Sequence, residues 1–219
     1  DTVFAKFKEQ FGYYPQSVGA WWVDSFSLQY MHDKYGVIAN LGVADQYSTD
    51  NYQVWGTYWS TPYYPSINHA GIPAGSADNK IGVVTLQWAP REPRRGYYSS
   101  LYSTQDYFTT PKLDINYFAK LVDLYPQVTV GLESDFTPNA YQGEYTKQIQ
   151  VVAQKTAAKM TMGQFAKWYK DKFPDISPEQ KIDFDGMIWY QSPYYRLAID
   201  KTNNKIIDFI EDFAKKTGT

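Results

Sequence analysis

SVGAWWVDS, residues 17–25, runs apolar from Val18 to Val23 and then turns abruptly to an acid and a serine. A strand that is apolar on both faces belongs inside a parallel sheet, covered on each side. The Asp-Ser pair that ends it marks the next turn, because short polar side chains accept the free N–H groups of a helix start. The flanks carry the same signal. Upstream, TVFAKFKEQFG (2–12) places Val3, Phe4, Phe7 and Phe11 at helical spacing and stops at Gly12, with Pro15 beyond. Downstream, DSFSLQYMHDKYG (24–36) reads as a capped helix ending at Lys34 and Gly36, and VIANLGVAD (37–45) as a second buried strand. Residues 1–46 therefore alternate helix and strand twice, the pattern of an α/β fold with parallel strands.

The pattern continues with KIGVVTLQWAP (80–90) as a third strand and LDINYFAKLVDLYPQ (113–127) as a helix with Ile115, Phe118, Leu121 and Val122 on one face. VTVGLESDF (128–136) reads as a fourth strand, and residues 143–160 and 161–174 as two helices, the second capped by Thr161. Residues 181–213 read as three short β runs with a hairpin turn at TNNK (202–205), although the last run also fits a helix. Two long segments interrupt the pattern, residues 47–80 and 91–108, both rich in aromatics. Loops of that length in a compact domain are usually functional, and such a composition argues against disorder. The expected architecture is an irregular or partial (β/α) barrel with parallel central strands. Long aromatic loops leave the strand C-terminal ends, and a small β-hairpin region closes the chain. Residues 1–219 are expected to form a single domain, complete or a fragment of a longer chain with further domains upstream or downstream.

Composition narrows the chemistry. The net charge is −2, which offers no broad basic surface to nucleic acid. The absence of cysteine excludes disulfides and thiolate–metal sites. No apolar run is long enough to span a membrane. No nucleotide-binding glycine motif and no nucleophile elbow occurs, and the two histidines, His32 and His69, cannot make a His-only metal site. No metal or cofactor is expected. Aromatic residues make up 18% of the chain, led by 21 tyrosines. Tyrosine in excess suits clefts that are flat, apolar and still wet, the kind of surface on which sugar rings stack.

In parallel α/β folds, ligands bind at the carboxyl ends of the strands. Here those ends read Asp24-Ser25, Asp45-Gln46, Gln87-Trp88 and Glu133-Ser134-Asp135. Carboxylates beside aromatic rings are what glycosidic cleavage needs: one acid protonates the leaving oxygen while a second carboxylate attacks or activates water. A neighbouring indole desolvates the acid and raises its pKa. Helix capping is the competing explanation, strongest for Asp24 and weakest for Glu133, since Glu is a poor N-cap. Glu133 and Asp45 are the candidate acid and nucleophile, in either order, and Asp24 would orient substrate or share the proton. Trp22, Trp55, Trp59 and Trp88 are candidate sugar platforms. Gln46, Gln87 and Arg91 are candidate contacts to hydroxyls or to a substrate carboxylate, with Asp135 and His69 completing the set.

The segments SVGAWWVDS, VIANLGVADQYSTD and VTVGLESDF give residues 1–170 a layout that resembles the glycoside hydrolase/deacetylase superfamily, the (β/α)7 barrels of polysaccharide deacetylases and family-57 glycoside hydrolases. The resemblance implies oligosaccharide or polysaccharide substrates and carboxylates at strand ends. The Thr-Phe-Asp-Asp motif and the His-x-x-x-His pair of the deacetylases are absent, so it does not extend to metal-dependent deacetylation. Two other readings fit the same residues: a carbohydrate-binding module without turnover, and a structural cell-surface domain with a Tyr-rich partner interface. All three place the protein outside the cell or on its surface.

Overall fold

The computed structural model describes residues 1–19, 23–42, 60–99, 101–105, 107–110, 112–131 and 138–210. They form a mixed α/β fold with two sheets, a parallel one of three strands and a separate antiparallel one of four. The alternation read from residues 1–46 is present: α1 (Thr2–Phe11), β1 (Ser17–Gly19), α2 (Ser25–Tyr35) and β2 (Ala39–Gly42), followed by β3 (Val84–Gln87). Gly12 and Gly36 end the two helices in the left-handed conformation, with φ of 81° and 74°. Each donates its N–H back to the last turn, as C-terminal glycines do. Phe4 stacks on Tyr35 at 4.1 Å between ring centroids and fastens α1 to α2.

The parallel sheet runs β1-β2-β3 and sets Val18, Asn40 and Thr85 abreast, with Gly42 opposite Gln87. Side chains alternate across it. Ala39, Leu41, Val84 and Leu86 pack against α5 (Met162–Lys172), where they meet Ala166 and Tyr169. Thr161 caps that helix through a full capping box with Gln164. Asn40, Thr85 and Gln87 occupy the other face and are also buried, so this sheet carries a polar row that solvent does not reach.

Residues 60–80 differ from the expected surface loop. Thr61 and Tyr64 each precede a proline, which drives their backbone into the extended region. The segment lies antiparallel along the outer edge of β3, with Tyr63 and Thr85 exchanging both backbone hydrogen bonds at 2.9 and 3.1 Å. Tyr63, Tyr64 and Ile72 are core residues. This edge pairing also accounts for the second difference. The expected fourth strand takes no strand conformation over its described part, residues 128–131. Tyr63 holds the backbone groups of Thr85, and the carbonyl of Gln87 accepts from the Thr129 hydroxyl at 3.1 Å instead of from a strand backbone. Among the described residues the parallel strands therefore form an open sheet and not a closed barrel.

α3 (Ile115–Leu124) and α4 (Pro138–Gln154) pack on each other, α3 capped by Asp114. The C-terminal region is larger than a hairpin. β4 (Gln180–Phe184), β5 (Met187–Gln191), β6 (Arg196–Asp200) and β7 (Lys205–Ile210) form a four-stranded meander. The Asp185-Gly186 turn between β4 and β5 has φ of 45° and 78°. Both central residues are left-handed, as a two-residue hairpin demands, and Asp-Gly is among the pairs that allow it. The final run is a strand because it pairs with β6, where Arg196 Nε meets Asp208 at 2.6 Å. Ile182, Met187, Trp189 and Ala198 pack with Tyr97, Leu121 and Tyr125, which lays this sheet over α3 and the segment after β3. Among the described residues no helix is long and apolar enough to cross a membrane.

Candidate functional site

The C-terminal end of β3 is where three chain segments meet. The Trp88 N–H donates to the Gly42 carbonyl at 2.9 Å, extending the ladder to the last described residue of β2. The indole lies over Gly131, where a β-carbon would sit 3.6 Å from its edge. Gly42 is three residues before Asp45, and Gly131 two before Glu133. Trp88 thus pins together the points from which both candidate catalytic segments depart, and it is half-buried, with part of its surface open.

A buried hydrogen-bonded frame holds that strand end. Gln87 Nε2 donates to the Thr61 carbonyl at 3.2 Å, and Gln191 Nε2, from the antiparallel sheet, reaches the Thr61 hydroxyl at 3.4 Å. The Ser60 hydroxyl accepts the Arg91 N–H at 2.8 Å, and the Arg91 guanidinium donates to the Ser99 carbonyl at 3.1 Å. The Tyr125 hydroxyl donates to the Arg91 carbonyl, and the Trp189 indole N–H to the Pro93 carbonyl at 2.8 Å. Both sheets therefore fix the backbone from Gln87 to Pro93.

The sequence candidates separate under this geometry. Glu133, Asp135, Asp45, Gln46, Trp22, Trp55 and Trp59 lie outside the described residues. Gln87 and Arg91 lie at the end of β3 as expected, but both are buried and their side chains serve the frame. Asp24 is the N-cap of α2, and its two oxygens accept from the Ser27 backbone N–H at 2.8 Å and the Ser27 hydroxyl at 2.7 Å. These bonds, the hydroxyl first, hold its carboxyl below the usual aspartate range. His69 belongs to the hairpin of residues 66–80, which runs past the opposite, N-terminal end of β3. Its Nδ1 accepts the Gly71 N–H at 3.0 Å, and burial pushes its pKa down.

Three features of this region went unread in the sequence. Glu92 is buried, and its carboxylate accepts the backbone N–H groups of Arg94 at 3.1 Å and Arg95 at 2.6 Å. Burial pushes its pKa up, against the pull of those N–H groups. A carboxylate followed two and three residues on by Arg94 and Arg95 and then by Gly96 is the signal that could have found this turn, because a β-carbon on Gly96 would strike the Glu92 carbonyl at 2.6 Å. Asn40 Oδ1 and Thr85 Oγ1 stand side by side on the inner face, buried and with no hydrogen-bond partner among the described residues. Glu144 on α4 accepts from the Tyr107 hydroxyl, and Gln148, one turn later, is fully buried. The described residues hold no cluster of three or more histidine and carboxylate side chains able to bind a metal ion.

The family model of a domain of unknown function with a solved structure, DUF3863, matches residues 3–89, less than half of the chain. No curated protein matches. One solved structure is similar in fold, that of a candidate glycoside hydrolase/deacetylase from Parabacteroides distasonis, with 15% sequence identity and a TM-score of 0.69. The alignment covers 96% of this chain and 61% of the other, so the chain spans about three-fifths of the length of the protein it resembles. The shared feature is the mixed α/β fold.

Proposed function

We propose that this chain is a carbohydrate-active domain that hydrolyses glycosidic bonds at the C-terminal end of its parallel sheet, with Glu133 and Asp45 as the acid and nucleophile pair. The observation that carries this reading is the position of Trp88, whose backbone joins the root of the Asp45 segment and whose ring covers the root of the Glu133 segment. An indole beside a carboxylic acid gives the acid an apolar neighbour and a sugar ring a stacking surface. The fold likeness to a protein described as a candidate glycoside hydrolase/deacetylase agrees with it. Gln87 and Arg91 position the strand end, and Trp22, Trp55, Trp59, Gln46 and Asp135 are the sequence candidates for contact with the sugar. The domain acts outside the cell or at its surface, as one unit or within a longer protein.

The test is a glycan-array screen of the intact chain, with release of reducing sugar measured on each hit. Glu133→Gln and Asp45→Asn are each expected to lower turnover at least 10²-fold while sugar binding persists. Asp24→Ser keeps the helix cap and is expected to retain turnover, whereas a loss as large as that of Glu133→Gln would assign Asp24 to the chemistry. Binding without release from any glycan would convert the reading to a binding module. Absence of binding would favour a structural domain with a partner interface.

A further inference from the structure

A concavity lies along residues 125–130, ahead of the segment that leads to Glu133. It has a volume of about 720 Å³ and is enclosed by the end of α3, residues 126–130, α4, the connection 157–161 and α5. That volume falls within the range of small-molecule sites. Its lining is mostly apolar and includes Val122, Val128, Ile149, Met160, Phe165 and Trp168. Met160 and Trp168 stay 47% and 45% exposed, although a large apolar side chain gains by burial. The thioether of Met160 and the paired rings of Phe165 and Trp168, 5.4 Å apart, adapt readily to a flexible guest.

Among the described residues, the one charged residue in its lining is Lys159. From Tyr145 to Lys170 the chain carries five lysines, at 147, 155, 159, 167 and 170, and no acid, in a protein whose net charge is −2. Three of the five are committed: Lys147 pairs with Glu144, Lys155 with Asp123, and Lys170 donates to the Gly82 carbonyl. Lys159 lines the concavity, and its ammonium finds only the Lys155 carbonyl of its own turn. Neither Lys159 nor Lys167, the neighbour of Trp168, has a carboxylate partner among the described residues.

From the largely apolar lining, the exposed Met160 and Trp168 and the lining Lys159 without a carboxylate partner, we infer that this concavity binds a single-chain anionic amphiphile, its hydrocarbon tail against Ile149 and Phe165 and its carboxylate at Lys159. A flexible tail fills an irregular apolar slot, and an anionic head at an ammonium group that lacks a carboxylate gains a charge-assisted hydrogen bond. Residues 128–130 line this concavity, whereas the next residue, Gly131, faces Trp88.

The test uses the intact chain and dodecanoate below its micelle concentration, with dodecanol as the uncharged twin, followed by calorimetry and tryptophan fluorescence. Saturable one-to-one binding of dodecanoate is expected, with dodecanol at least tenfold weaker. Lys159→Glu is expected to remove that preference while dodecanol binding persists, and Ile149→Asp to weaken both ligands. Equal affinity for the two ligands in the unaltered chain, or no saturable binding, would overturn the inference. So would a dimer by light scattering that Met160→Glu dissociates, because the concavity would then be an interface between copies. Binding confined to anionic phosphatidylglycerol vesicles, without binding of the free amphiphile, would overturn it in favour of a membrane surface.

Discussion

The two sheets solve opposite problems. The antiparallel sheet is built from neighbours in sequence, joined by turns such as Asp185-Gly186, and its inner face is Ile182, Met187, Trp189 and Ala198. The parallel sheet has strands of only three or four residues, drawn together from positions 17 to 87. One of its two buried faces carries Asn40, Thr85 and Gln87. An apolar face returns free energy in proportion to the area it buries, whereas a polar face returns little unless each group is paired. The antiparallel sheet thus supplies stability, and the parallel sheet spends some of it to hold a polar interior and three converging strand ends. Hydrogen bonds from Gln191 to Thr61 and from Trp189 to Pro93 tie one to the other.

The largest expected effect tests whether stability resides in the antiparallel sheet. Trp189 is fully buried, and its indole N–H satisfies the Pro93 carbonyl. Trp189→Ala leaves a cavity and an unpaired carbonyl, at a cost of about 3–5 kcal/mol. For a chain of this size that lowers the melting temperature by roughly 6–20 °C. Calorimetry or circular dichroism checks it, and a change of only a degree or two would mean that the stability lies elsewhere.

An effect of opposite sign is expected in the parallel sheet. The Thr85 hydroxyl is buried and has no partner among the described residues, while its backbone is secured on both edges, by Tyr63 and within the β2–β3 ladder. Thr85→Val keeps the shape and removes the unsatisfied hydroxyl, so about 1 kcal/mol of stabilisation is expected. A higher melting temperature would show that this face is held below its stability optimum, as surfaces kept for binding are. A lower one would show that the hydroxyl has a partner, such as an ordered water, and that the polar row is structural.

The same contrast explains what could be read from the sequence. Helices α1, α2, α3 and α5 were legible because caps such as Asp24, Thr161 and Gly12 act within one turn of the residues they serve. The three parallel strands were legible as apolar runs. The role of residues 60–66 was not, because Tyr63 depends on the vacant edge of β3, some twenty residues away and without a local signature. That same pairing occupies the edge of β3 that the fourth strand, expected at residues 128–136, would have joined, and its described part, 128–131, is not a strand. The β4–β5 turn carries a local signal of its own in Asp185-Gly186. At the site, the position of Gln87 at a strand end was legible, but the inward commitments of Gln87 and Arg91 were not. These depend on Thr61 and Ser99, partners that only the fold brings close.

The smallest expected effect concerns His69, in the connection of residues 66–80 that leads into β3. Burial disfavours its imidazolium, so its pKa in the folded chain lies below the unfolded value near 6.5. The folded state then binds fewer protons than the unfolded one between those two values. Stability is complete above pH 6.5 and declines as the pH falls from there toward the depressed folded value. Protonation of Nδ1 also removes the acceptor of the Gly71 N–H. Denaturant unfolding of the intact chain between pH 7.5 and 5 is expected to show this decline, and His69→Asn, which keeps an acceptor for Gly71, to flatten it. Asp24 does not compete in that window, because its carboxyl is held below the usual aspartate range and stays ionised throughout. Glu92 acts in the opposite sense. Its raised pKa makes the folded state bind more protons, so acidification toward pH 5 favours folding through that group. A decline that persists in His69→Asn would move the pH sensitivity away from the hairpin, while its reversal in that variant would expose the contribution of Glu92.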